Sequence, residues 1–137
     1  MTKPVDPAEI GRIESEHAQQ VALFAWAALN FNQYPELRWM FAIPNGGERN
    51  KIVAANLKAE GVRANVPDIF LPIPRAEWHG LFIEMKKKKG ATPEGKPSVE
   101  QLGFIYEMWA RGYAARVCVG WEMARDTLIQ YLEWGKR

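Results

Sequence analysis

Two stretches hold the acids and the lysine that can do chemistry. Val66-Pro67-Asp68-Ile69-Phe70-Leu71-Pro72 is followed, after a short polar break, by Gly80-Leu81-Phe82-Ile83-Glu84-Met85-Lys86-Lys87. Both read as β-strands. A strand sends alternate side chains to opposite faces, so Glu84 and Lys86 share one face, and Leu81, Ile83 and Met85 share the other. Pro67 has no N–H to donate, which suits a strand start, and Asp68 opens the strand that follows it. If the two strands pair as a hairpin, Asp68 lies beside Glu84. Two carboxylates with a lysine two residues after the second make a Mg²⁺ or Mn²⁺ site with a cation next to it, and the Met85 carbonyl offers a further oxygen. Such an ion can generate hydroxide from water and neutralise charge building on a phosphate, while Lys86 orients the water or stabilises the transition state. The plainer reading is a hairpin with a structural salt bridge.

Size and composition bound what surrounds these residues. The chain has 137 residues, which suits one domain over 1–137. Its 47% hydrophobic and 25% charged content is ordinary for a globular protein. A net charge of +2 does not by itself argue for nucleic acid, but Lys86, Lys87, Lys88 and Lys89 are consecutive and Lys96 follows soon after. The single cysteine, Cys118, excludes an internal disulfide and a thiolate metal cluster. No apolar run reaches membrane-spanning length and the N-terminus is polar, so the expected location is cytoplasmic, with no membrane partner.

Residues 7–29 read as one helix, with Asp6 as N-cap and Pro7 at its first position. Its apolar face is expected along Ile10, Ile13, His17, Val21, Phe24, Ala25, Ala28 and Leu29, with Glu14, Glu16, Gln19 and Gln20 on or near the borders. Residues 37–43 read as a buried strand that stops at Pro44-Asn45-Gly46-Gly47. Residues 48–60 read as a helix with a basic side of Arg49, Lys51 and Lys58, closed by Gly61. The loop 73–79 between the two central strands is expected at the surface, with Trp78 exposed and the other tryptophans mostly in the core. Ser98-Val99-Glu100-Gln101 is a capping-box pattern that opens a helix running to about Arg111 and ending at Gly112. A strand over 113–119 and an amphipathic helix over 121–134 complete the chain. The order is α-β-α-β-β-α-β-α. It implies a mixed four-stranded sheet flanked by helices, with a helix crossing between the last two strands and making them parallel.

The whole pattern resembles the PD-(D/E)XK nuclease superfamily, and most of all its VRR-NUC family in its small single-domain phage and bacterial form. The resemblance rests on residues 16–26, Pro44-Asn45-Gly46-Gly47, residues 61–71 with Pro67-Asp68, residues 80–86 with Glu84-Met85-Lys86, and then Gln101 and Gly112-Tyr113. It covers most of the chain, and its weight lies in the order and spacing of motifs that are individually unspecific. Asn65 stands where the family often has glycine; asparagine also tolerates positive φ.

The resemblance implies a restriction-endonuclease-like core and metal-dependent phosphodiester hydrolysis, with Asp68, Glu84 and Lys86 as the catalytic set. It implies a supporting glutamate on the first helix, where Glu16 fits best and Glu14 is a close rival. It also implies a supporting glutamine, Gln101, which is equally explained as the capping-box partner of Ser98; both roles can hold. DNA is the expected partner. Lys87, Lys88, Lys89, Lys96, Arg49 and Lys51 can line its path, since phosphate contacts dominate such affinity, though a lysine run is more often only solvated. Asn45 and Gly46 can offer backbone N–H groups to a phosphate or form a plain turn. A homodimer is expected, suited to branched or junction DNA. The alternative is an inactive or partner-dependent nucleic-acid-binding module of the same fold. A structural protein whose acids merely pair with lysines is a third reading.

Overall fold

The computed structural model describes residues 5–44, 50–87 and 96–135. Its core is a four-stranded sheet in the order β1-β2-β3-β4, built from Phe41–Ala42, Ile69–Leu71, Leu81–Lys86 and Ala114–Val119. β1 and β2 are antiparallel, as are β2 and β3, and β3 and β4 are parallel. The hairpin and the parallel crossover expected from the sequence are both present. The helices are α1 (Pro7–Ile10), α2 (Glu16–Leu29), α3 (Lys51–Ala59), α4 (Val99–Ala110) and α5 (Trp121–Glu133).

β3 is the two-faced centre of the fold. Leu81, Ile83 and Met85 are at most 2% exposed and sink into a core with Leu23, Ala124 and Leu128, so α2 and α5 cover that side. On the other side Phe82 meets Phe104 of α4 edge-on at 5.7 Å and lies 4.4 Å from Phe70 of β2. β4 is an edge strand, and unpaired edges invite foreign strands. Here the edge is guarded, since the Trp109 indole donates to the Ala115 carbonyl and the Met123 sulfur accepts from the Val119 N–H.

Several elements depart from the sequence reading. The first helix is two helices, because Gly11 closes α1 and a new N-cap, Ser15, opens α2. The break resets the helical phase. Ile13, Val21 and Leu29 are exposed, and the buried face of α2 is Ala18, Gln19, Ala22, Leu23 and Ala27. Small alanines let α2 lie close around Leu23, while Ile10 and Phe24 of the expected face pack against the core from its border. Residues 35–39 are a 3-10 turn that Pro35 starts, leaving only Phe41–Ala42 as strand. Trp121 is the one well-buried tryptophan of the described residues, while Trp39, Trp109 and Trp134 are exposed. Trp78 is half-buried against the core rather than exposed. Its loop is bolted down: Arg75 donates to the Leu132 carbonyl and pairs with Glu36, and the Tyr131 hydroxyl donates to the Ile73 carbonyl.

Gln19 is wholly buried and ties the α1–α2 turn to α5. Its amide N–H groups donate to the Gly11 and Ile13 carbonyls, and its oxygen accepts from the Trp121 N–H. Gly11 has an ordinary right-handed backbone, so space alone demands glycine there; a Cβ would collide with the Trp121 indole nitrogen. Gly11→Ala should therefore destabilise the protein by about 1–3 kcal/mol, the usual cost of overpacking. Urea unfolding at neutral pH checks it, and a variant as stable as wild type would show that the Trp121 ring has room to move.

Candidate active site

Glu84 and Lys86 project from the same face of β3, as alternation requires, yet both are buried, at 3% and 7% exposure. Two buried ionised groups need partners, because removal from water costs more than a single contact returns. They have each other, with Lys86 Nζ 3.3 Å from Glu84 Oε1, and they have Gln101. The Gln101 amide N–H donates to Glu84 Oε1 at 2.9 Å, and Lys86 Nζ donates to Gln101 Oε1 at 3.1 Å.

The same glutamine completes the capping box that starts α4. The Ser98 hydroxyl accepts from the Gln101 N–H, and Gln101 Oε1 accepts from the Ser98 N–H at 2.9 Å. Both roles weighed for Gln101 therefore hold in one side chain. The first turn of α4 is pinned to the acid–lysine pair on the strand below it.

Asp68 immediately precedes β2, and its Oδ2 accepts from the Met85 N–H at 2.7 Å. The β2–β3 ladder ends at Ile69 and Ile83, so this carboxylate takes the next N–H that the ladder leaves over. The Lys86 carbonyl faces β4, where it accepts from the Gly120 N–H. Alternation then turns the Met85 carbonyl to the Asp68 side. Asn65, at φ 68°, makes the left-handed turn that leads into Val66-Pro67-Asp68.

Burial, then the Asp68 charge and more weakly Glu16, push the Glu84 carboxyl up to about 7, against the opposing pull of Lys86. Glu84 Oε2 is buried without a hydrogen-bond partner. An orphaned carboxylate oxygen beside a second carboxylate suits a hard cation, which takes oxygen ligands and tolerates one or two protein carboxylates with waters filling the rest. Among the described residues no three His, Cys, Asp or Glu side chains gather into a complete cage. Asp68, Glu84 and the Met85 carbonyl fit the partial shell that Mg²⁺ or Mn²⁺ accepts.

Glu16 stands in the first turn of α2, exposed, with its charge felt at Glu84; its rival Glu14 is exposed and is not among the charges acting there. Lys51 is exposed on α3 and Lys87 is half-buried just past β3. Asn45, Gly46, Arg49, Lys88 and Lys89 lie outside the described residues. The histidines His17 and His79 are both exposed, and His79 packs beside Tyr113. Gln19 carries the one site-related role that the sequence reading missed, because it holds the turn from which Glu16 projects. Its position between Ala18 and Ala22, on the face that proves buried, is the signal that could have found it. A groove of about 340 Å³ between Trp78, Trp109, Tyr131 and Trp134 opens near the starts of β3 and β4, at the other end of the strands from Glu84 and Lys86. Among the described residues no helix is long and apolar enough to cross a membrane.

The raised Glu84 pKa fixes a pH dependence in the metal-free protein. The folded value of about 7 lies above the ordinary 4.5, so the group favours folding fully below pH 4.5 and loses that contribution as pH rises through 7. Glu84→Gln mimics the protonated form and should lack this loss. In chelator, wild type should fall behind the variant by about 2–3 kcal/mol between those limits, as read from urea unfolding across the range. Parallel pH profiles would show that Glu84 titrates normally.

No protein-family model and no curated protein matches the chain. Among solved structures, a "VRR_NUC domain protein" superposes with a TM-score of 0.69 and 28% identity, covering 87% of this chain and 88% of that one. In fold and in sequence likeness the chain is similar to a VRR-NUC domain, the family that its own motifs resemble.

Proposed function

We propose that the chain is a Mg²⁺- or Mn²⁺-dependent deoxyribonuclease that hydrolyses phosphodiester bonds. The observation that carries the reading is Glu84: one oxygen is clamped by Gln101 and Lys86, while the other is buried and unpartnered, and the charge of a second carboxylate, Asp68, acts on the group. The likeness to a VRR_NUC domain protein supports the nuclease class. Asp68, Glu84 and the Met85 carbonyl hold the ion, with Glu16 behind them. Such an ion, when bound, lowers the pKa of water and offsets charge on a phosphate.

The remaining work falls to this chain's own residues. Gln101 fixes Glu84 and Lys86 so that neither rearranges as substrate arrives. Lys86 keeps a positive charge where negative charge grows on the scissile phosphate. Asp68, tied to the Met85 N–H, keeps its geometry while one oxygen remains bonded to the backbone. Burial lets the proton and the cation compete for Glu84, so ion binding tightens as pH rises toward 7.

Cleavage of labelled DNA in Mg²⁺, Mn²⁺ or chelator tests the reading, with single-strand, duplex, flap and four-way-junction substrates in one panel. Activity is expected only with the divalent ion, with a preference for branched substrates. Asp68→Asn and Glu84→Gln are expected to abolish it in folded protein, and Lys86→Ala to slow it by roughly 10²–10³-fold. Undiminished cutting in chelator would overturn the metal mechanism.

A symmetric substrate is best met by two sites related by a two-fold axis, and two-fold dimers are the commonest assembly. Trp39, Phe41, Trp109 and Trp134 expose apolar surface for such a contact. Light scattering at micromolar concentration should report a dimer; a purely monomeric mass would remove this part of the proposal.

A further inference from the structure

α3 has no part in the core. Eight of its nine residues are exposed, Leu57 is half-buried, and Ile52 is 75% exposed. Isolated helices this short are marginal in water and normally persist by docking an apolar face. α3 instead relies on its ends, with Asn50 accepting from the Val53 N–H and Gly61 turning the chain at φ 103°.

Its attachment points are informative. The excursion that contains α3 leaves after β1 and returns at Asp68. Its ends are clasped where the Ile43 N–H donates to the Asp68 carbonyl at 2.7 Å. Asp68 in turn accepts from the Met85 N–H. α3 therefore hangs from the catalytic end of the sheet, on the residue that supplies one of the two carboxylates.

Its chemistry is one-sided. Lys51 and Lys58 are seven residues apart, close to two full turns, so they share a face about 10 Å apart along the axis. Ala54 and Ala55 lie between them on that face, and their side chains are too small to hold a partner's backbone away. The helix carries no acid, and Arg63 follows beyond Gly61. Duplex DNA presents about one negative charge per 1.7 Å of its axis, so a 10 Å pair of lysines flanking bare backbone meets several phosphates. An apolar partner would find the lysines buried and unpaired.

We infer that α3 is an arm that grips the phosphate backbone of DNA through Lys51 and Lys58, and so delivers the strand to Asp68 and Glu84. The inference rests on the nuclease reading above. Because the arm is held at its root rather than by core contacts, DNA supplies the covering face that the fold leaves out. Lys51 and Lys58 do not touch the reacting atoms and act through affinity.

The test uses the full chain and a short labelled duplex in Ca²⁺, with binding followed across a salt series and amide hydrogen exchange read over α3. With Lys51→Ala and Lys58→Ala combined, binding at about 0.1 M salt should weaken on the order of 10- to 100-fold, and the log–log salt slope should flatten by about two units. A second pair, Lys51→Glu with Lys58→Glu, should weaken it further. In wild type, α3 amides should exchange fast in free protein and slow when DNA is added. Wild-type affinity and slope in the double variant would overturn the inference, as would protection of α3 that grows with protein concentration in the absence of DNA. If wild type binds DNA through α3 but never cuts it in Mg²⁺, the arm stands and the nuclease reading falls. If it cuts normally and the lysines prove irrelevant to binding, the reverse holds.

Discussion

Everything at the candidate site of this fold depends on a buried acid–lysine pair that cannot satisfy itself. Glu84 and Lys86 leave the same face of β3 and sit out of water, where charge is costly unless each donor and acceptor is met. Gln101 meets both, and Phe82 of the same strand stacks with Phe70 and Phe104 on the face they share. One oxygen of Glu84 is left over. A protein built only for stability gains more from an apolar pair of similar size, so stability alone does not account for the arrangement.

Strand alternation is the device that makes this affordable. The residues between the charged ones, Ile83 and Met85, belong to the central core under α2 and α5. A one-residue slip of β3 would expose them and thrust Glu84 and Lys86 into that core, so the register is fixed by apolar burial and the site inherits its precision. The parallel partner β4 adds a second lock, because the Lys86 carbonyl is held by the Gly120 N–H just where α5 begins. Gln19 then joins the start of α5 to the α1–α2 turn, and through it to the first turn that carries Glu16.

The sequence made this site legible to the extent that its geometry is local. Period two along residues 81–86 places Glu84 with Lys86 without any knowledge of the fold. The Ser98-to-Gln101 spacing announces the cap, and the hairpin and crossover follow from the lengths of the connections. What stayed hidden was whatever depends on distant partners. The buried face of α2 is chosen by packing, which takes Ala18, Ala22 and Ala27 with Gln19 and Leu23 and leaves out Val21 and Leu29, which pattern reading prefers. The glycine at the split, Gly11, has its reason 110 residues away, in the Trp121 ring that fills the space a side chain would need. The loop around Arg75 looks free in sequence because its anchors, Glu36 and the Leu132 carbonyl, are remote.

Gln101 shows why a single position can tie such distant constraints together. Its oxygen must accept from Lys86 and from the Ser98 N–H, and its nitrogen must donate to Glu84. Glutamate at that position could still cap the helix and pair with Lys86, but it cannot donate to a carboxylate and would add a third negative charge beside Asp68 and Glu84. Asparagine has both groups but is one methylene short of reaching from the helix to the strand. Alanine leaves a buried ammonium and a buried carboxylate each one partner poorer. The cap of α4 and the poise of the acid–lysine pair are therefore a single interaction. A change that loosens the start of this helix reaches Glu84 and Lys86 directly, without any rearrangement of the sheet.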